Sequence, residues 1–265
     1  MSNHAQQFFT RGWCRFARDA RLAAWVEAAL AAARRTRDDP EFAQWLRYRD
    51  TWFAGVNALY NAADGSVDDS GPLRGAAVDF IARELGLDGF AWDRAQVSIC
   101  YPGYPQPMDG ESAARARFRV WRDAAHVDGL LREGEQQRRF LREHHGFILG
   151  IPMVEFDAGA SPFVVWEGSQ EIIRAGFRQR FAGIPVERWG DEDVTDAYQA
   201  ARQRAFDECR RVEIHARPGE AFLAHRLVVH GMAPWRDGAS AGADGRMICY
   251  FRPAPFGARE WLHNP

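Results

Sequence analysis

Ala95-Gln-Val-Ser-Ile-Cys-Tyr101 alternates strictly, with Val97, Ile99 and Tyr101 on one side and Gln96, Ser98 and Cys100 on the other. A period of two is that of a half-buried β-strand. Towards the C-terminus, strand-like runs recur at 118–121, 147–154, 162–166, 212–216, 220–224, 227–230 and 246–252. Two helical stretches interrupt them. One starts near Ser169 and carries Ile172, Ile173, Phe177 and Phe181; the other covers about 194–210, with Ala197, Tyr198, Ala201, Ala205 and Cys209 on one face. Towards the N-terminus the period changes. Leu22, Trp25, Val26, Ala29, Leu30 and Ala33 mark one buried helical face. Asp39-Pro40-Glu41 reads as a helix start, with an Asp cap and Pro at the first turn. Trp45, Leu46, Trp52, Phe53, Val56 and Tyr60 continue a helical stripe, and a third helix over 72–85 is closed by Gly86.

Helices first and many short strands afterwards predict an α+β chain, a barrel or sandwich flanked by helices. Strands and helices do not alternate strictly, which disfavours a doubly wound parallel sheet. No repeat or linker divides the 265 residues, so one domain, 1–265, is expected.

Composition removes several functions. Hydrophobic residues make up 46%, enough for a sizeable core, and no run approaches the ~18 apolar residues of a membrane helix. The N-terminal stretch lacks the order of a secretory signal. The expectation is a cytoplasmic protein with no membrane partner. Net charge is −2 without a basic stripe, so no nucleic-acid partner is expected. Every basic residue is arginine; without lysine, neither Schiff-base chemistry nor a Walker-type phosphate loop is available. Cys14, Cys100, Cys209 and Cys249 are far apart and read as buried thiols.

Trp121-Arg-Asp-Ala-Ala-His-Val-Asp-Gly-Leu-Leu131 carries the chemistry. In an extended segment His126 and Asp128 point to one side, so an imidazole and a carboxylate can meet one metal ion. The best third ligand is His230, at the end of Pro218-Gly-Glu-Ala-Phe-Leu-Ala-His-Arg-Leu-Val-Val-His-Gly231. Two histidines and one carboxylate on one face of the metal leave positions open, as nonhaem Fe(II) oxygenases require.

With those residues in place, the sequence resembles the phytanoyl-CoA dioxygenase group of Fe(II)/2-oxoglutarate oxygenases. The marks are His126-Val-Asp128, Ser161-Pro-Phe-Val-Val-Trp-Glu-Gly-Ser169, Pro218-Gly-Glu220, His230-Gly231 and Arg246-Met-Ile-Cys-Tyr250. The resemblance implies a double-stranded β-helix (jelly-roll, cupin-like) core over about 95–253, with about 1–90 as a helical supporting layer. It implies Fe(II) on His126, Asp128 and His230, 2-oxoglutarate as cosubstrate, O2, and hydroxylation of a C–H bond in a small molecule. It also implies an arginine for the far 2-oxoglutarate carboxylate. Arg246 begins the strand, as the family arginine does; Arg252 is the rival, read otherwise as a surface ion pair. Gln96 is a further polar contact carried over from the family. Departures are Glu167-Gly-Ser169-Gln170 where the family has Pro-Gly-Ser-His, Ile248 where it often has a hydroxyl, and a long Gly/Ala-rich loop over 233–245 that would suit a lid.

The cluster Arg115, Arg117, Arg119 and Arg122 is expected as a strand face, or as a clamp for a carboxylate-bearing substrate. His144 and His145 read as solvated, His215 as a sheet-face residue, and His225 as a turn residue near the site. Two other readings remain: a cupin-type metal enzyme not using 2-oxoglutarate, and a non-catalytic small-molecule-binding relative. Neither substrate identity nor oligomeric state follows from the sequence.

Overall fold

The computed structural model describes residues 2–265. Chain order begins α1 (Asn3–Arg11), β1 (Trp13–Phe16), α2 (Ala20–Asp38), a 3-10 turn (Pro40–Trp45), β2 (Leu46–Arg47), β3 (Trp52–Phe53), α3 (Ala76–Glu84) and β4 (Gln96–Cys100). It continues with α4 (Ala113–Trp121), β5 (Leu130–Glu133), β6 (Arg138–Leu141), β7 (Phe147–Pro152), β8 (Phe163–Glu167) and α5 (Ser169–Arg180). A second 3-10 turn (Val186–Asp191), α6 (Thr195–Glu208), β9 (Arg210–Ile214), β10 (Ala221–His225), β11 (His230–Met232), β12 (Arg246–Phe251) and α7 (Ala258–His263) complete it.

Antiparallel pairing gathers the strands into a seven-stranded sheet, β1-β10-β7-β12-β4-β3-β2, a three-stranded sheet, β11-β8-β9, and the hairpin β5-β6. The period of two then sorts each strand. On β12, Met247, Cys249 and Phe251 pack under α1–α3, while Ile248 and Tyr250 turn the other way. There they meet Ile148, Phe163, Val165, Ile214, Phe222 and Ala224, so a second core fills the space between the two sheets. A third core joins the outer face of the small sheet to α5–α7. The layers are therefore helices, large sheet, small sheet, helices. Asp19 ties the first layer together: its carboxylate accepts from Arg21 N–H at the start of α2 and from Ala76 N–H at the start of α3.

Four local readings need correction. The predicted stripe over 45–60 is a hairpin, because Tyr48, Arg49 and Asp50 all take positive φ and reverse the chain. Trp52 and Phe53 then pair with Cys100 and Ile99, and that pairing overrides the helical period. Residues 118–121 belong to helix α4, capped by Ser112, whose hydroxyl accepts from Arg115 N–H; four residues are too few to separate the two periods. The charged stretch 138–146, whose composition reads as a helix or turn, begins with strand β6. Residues 227–229 form a turn, so His230 opens β11 rather than ending a strand.

Candidate metal centre

His230 lies on the free edge of the small sheet, and there it forms a single-residue bridge with His126. His126 N–H donates to the His230 carbonyl at 2.8 Å, and His230 N–H returns to the His126 carbonyl at 3.0 Å. Directly opposed residues share a face, so the two rings stand side by side with centroids 4.6 Å apart. Asp128, two residues on, comes back to the same face. Its Oδ1 is 3.1 Å from His126 Nε2 and its Oδ2 is 3.7 Å from His230 Nε2. Each Nδ1 lies 3.0 Å from a carbonyl, that of Ala124 for His126 and that of Val228 for His230. A carbonyl only accepts, so each Nδ1 carries a proton, and Nε2 is the ring nitrogen turned towards the carboxylate. It is the nitrogen that would ligate a metal. The three ligand atoms lie within 4.8 Å of one another and can hold a metal ion.

Several interactions fix the ligand segment. Asp123 and Ala124 both have φ near 52°, a strained turn for non-glycine residues. Arg211 grips the Asp123 carboxylate through Nε and Nη2 at 2.7 and 2.9 Å, and Met232 N–H donates to the Asp123 carbonyl. From α6, the Tyr198 hydroxyl accepts from Val127 N–H at 3.0 Å, and Arg202 donates to the Ala125 carbonyl. Gly231 allows the close approach: a Cβ there would stand 2.2 Å from the Asp123 carbonyl oxygen. Gly231→Ala is therefore expected to push the two histidines apart. Its cost is about 1–3 kcal/mol of stability, and a metal titration of the folded variant should show loss of affinity.

Around the carboxylate sits a charged network. Burial opposes ionisation of Asp128, but Arg252, His230 and His126 outweigh it and hold the carboxyl well below its usual range. Arg252 Nη1 is 3.3 Å from Asp128 Oδ2, so the ion pair expected at the surface is made with buried Asp128 instead. Arg252 is itself held through its backbone. Its N–H donates to Asp93, and its carbonyl accepts from His145 Nδ1 at 2.6 Å. Burial raises Asp93 to about 6. Burial disfavours the charged form of His145, yet Glu143 and Asp128 raise its pKa overall. Burial lowers His230 to about 4, keeping it neutral. His145 thus lines the cleft and is not a solvated residue.

Arg246, at the start of β12, is fully buried. Its Nη2 donates to the Tyr250 hydroxyl at 3.0 Å, its Nε meets no acceptor, and no carboxylate of the described residues pairs with it. In register it opposes Cys100, and Tyr250 opposes Gln96. Gln96, Ser98, Cys100, Arg246, Ile248, Tyr250 and, by parity, Arg252 therefore face the space between the sheets. Gln96 lies at the Tyr250 end of that row and donates to the Ala54 carbonyl. The Cys100 thiol, raised to about 12 by burial, lies beside both Arg246 and the Ser161 hydroxyl. Ser161 is fully buried, and its Oγ has no hydrogen-bond partner among the described residues; the sequence marked the 161–169 stretch but gave Ser161 no role.

The loop 233–245 is tied down. Trp235 N–H donates to the Tyr104 carbonyl, Arg236 N–H to the Gly159 carbonyl, Ser240 N–H to Asp157, and Arg34 pairs with Asp244. The altered 167–170 turn is absorbed structurally. Glu167 accepts from Trp13, Ser169 Oγ accepts from Val229 N–H, and buried Gln170 donates to the Phe9 carbonyl. His215 bonds the Phe156 carbonyl, and His225 is buried between Arg174 and Leu227 N–H, away from the ligands. Helix α4 disperses the arginine cluster. Arg119 is buried against Glu111 at the cleft wall, Arg122 lies over Phe206, Arg117 lines a separate groove, and Arg115 lines the cleft without an acidic partner among the described residues. All four cysteines are free thiols.

No family model matches this chain, and no curated protein does. Solved structures do. The non-heme alpha ketoglutarate dependent carbocyclase SnoK from nogalamycin biosynthesis is 14% identical, with 96% of this chain and 85% of that one covered at a TM-score of 0.50. The epimerase SnoN, solved with Fe3+ and alpha ketoglutarate, is 15% identical over 99% of this chain and 88% of that one, at 0.49. EctD from S. alaskensis with bound Fe is 16% identical over 95% and 75%, at 0.48. Such low identities concern the fold alone, and only the first reaches a score of 0.50. No described helix is long and apolar enough to cross a membrane.

Proposed function

We propose that this chain is an Fe(II)- and 2-oxoglutarate-dependent dioxygenase of the phytanoyl-CoA dioxygenase type, with a double-stranded β-helix core. The observation that carries the reading is Arg246. A buried guanidinium without a carboxylate costs stability, and it faces the same inter-sheet space as His126, Asp128 and His230. A dicarboxylate spanning from the metal to Arg246 supplies the missing counter-charge.

His126 and His230 present Nε2, and Asp128 the one carboxylate ligand. Arg252 occupies the other side of the carboxylate and orients it. Arg246 grips the far carboxylate of 2-oxoglutarate. Ser161, beside Cys100, supplies the hydroxyl that Ile248 lacks, and Gln96 is the further contact towards the Tyr250 end. Bound there, iron would supply the oxidative chemistry of O2 with 2-oxoglutarate. The protein's part is to hold, orient and keep dry. The expected outcome is hydroxylation of a C–H bond in a small anionic molecule.

Anaerobic addition of Fe(II) and then 2-oxoglutarate should produce a visible metal-to-ligand absorption band, and aerobic turnover should release succinate. His126→Ala should lose both. A metal enzyme not using 2-oxoglutarate would bind Fe(II) yet show neither band nor succinate, and a binding-only relative would not release succinate.

A further inference from the structure

The cleft beside the metal ligands encloses about 1310 Å³, and one wall carries Arg115, Arg132, Arg139 and Arg202. None of the four has an acidic partner within ion-pair distance among the described residues, although the chain makes ion pairs freely elsewhere. Arg132 and Arg139 stand directly opposite each other in the β5–β6 hairpin. Like charges in that position destabilise a strand pair. The neighbouring rung shows what the sequence could have done, since Glu133 opposes Arg138 there. Burial, and then the surrounding guanidiniums, lower the pKa of both Arg132 and Arg139.

Two of the four are held in place, while Arg115 and Arg132 are exposed. Arg139 donates to the Leu130 carbonyl and lies over the Tyr198 ring; Arg202 lies over the Phe118 and Tyr198 rings and donates to the Ala125 carbonyl. Ala125 precedes His126, and Tyr198 holds Val127. One helix, α6, therefore sets both the arginine wall and the ligand segment.

We propose that the four guanidiniums are the substrate subsite for a doubly charged oxyanion, and that this oxyanion is a phosphate group. A planar carboxylate carries one charge and accepts in one plane. A phosphate carries nearly two charges and presents three oxygens in different directions, which suits guanidiniums arriving from a hairpin and two helices. The subsite rests on the oxygenase reading for its purpose, since it places a phosphorylated substrate next to the metal, but its binding test does not need the metal chemistry.

Inorganic phosphate and phthalate are titrated calorimetrically into the purified chain at constant ionic strength. Phosphate is expected to bind, and Arg132→Gln and Arg202→Gln should each weaken it about tenfold. Arg117→Gln, in a separate groove, should not. Arg132→Gln should also raise the melting temperature of the ligand-free protein, which excludes misfolding as the cause. The 2-oxoglutarate absorption band should persist in Arg132→Gln, whose side chain makes no contact with the ligand segment. Phosphate binding that ignores both substitutions, or is absent, overturns the subsite. Tighter binding of phthalate overturns its assignment to phosphate. Loss of the band in the unsubstituted protein, with phosphate binding intact, defeats only the oxygenase reading.

Discussion

Arg246→Met is expected to raise the melting temperature of the cofactor-free protein while destroying its affinity for 2-oxoglutarate. The two effects have one cause. Arg246 is completely buried, its Nε has no acceptor, and among the described residues its guanidinium meets the Tyr250 hydroxyl, the Met232 sulfur and the Cys100 thiol but no carboxylate. Replacing buried charge by an apolar side chain of similar volume stabilises by about 1–4 kcal/mol, and a chain of this size gains roughly 2–4 °C per kcal/mol. In the complex the sign reverses. Removing one partner of a buried charge pair costs about 2–5 kcal/mol, so the dissociation constant should rise at least about thirtyfold. Thermal melts with and without 2-oxoglutarate and Fe(II) test both halves. A variant that melts lower and still gains stability from 2-oxoglutarate would show that the carboxylate is held elsewhere.

Asp128→Asn should also lose binding, but with the opposite effect on stability. It removes the one anion among the three ligands and leaves the partly buried Arg252 guanidinium without its partner. Disturbing an outer-shell contact alone costs about 10–100-fold in metal affinity; losing the charged ligand should cost more, so Fe(II) retention should fall below detection in an anaerobic competition with a chromogenic chelator. Stability should fall as well. The native carboxyl is held below its ordinary 3.8, so its ionised form stabilises the metal-free fold above that value and the contribution is lost as pH falls further. The variant should therefore melt lower than the parent at pH 7, with the gap narrowing in acid. Equal Fe(II) retention by both proteins would remove Asp128 from the site.

The large elements were legible in the sequence because their residues are local. β4 follows alternation, β7, β8 and β10 are short apolar runs, α2, α5 and α6 follow the helical period, and His126 and Asp128, two of the three candidate ligands, share a face through simple parity. What escaped depends on contacts far apart in sequence. The hairpin over 46–53 forms because Trp52 and Phe53 pair with β4, and α1 and β1 gain their place from β10 and Gln170. The partner of Arg252 lies 124 residues away, and Ser161 is polar but unpartnered only because the fold buries it. The arginine cluster was sought in 115–122, where a helix scatters it. The arginines that converge come from three separate elements.

A sheet contact one residue long has a dynamic consequence. The His126–His230 bridge is held by two backbone hydrogen bonds, at the edge of a three-stranded sheet. Two hydrogen bonds hold this seam where a long strand pairing has many, so it should open before β7 or β12 does. The amides of these two histidines should exchange with solvent faster than those of β7 or β12 in metal-free protein. An ion bound by both side chains closes the same seam, and exchange at these amides then measures occupancy of the centre directly, with no turnover required.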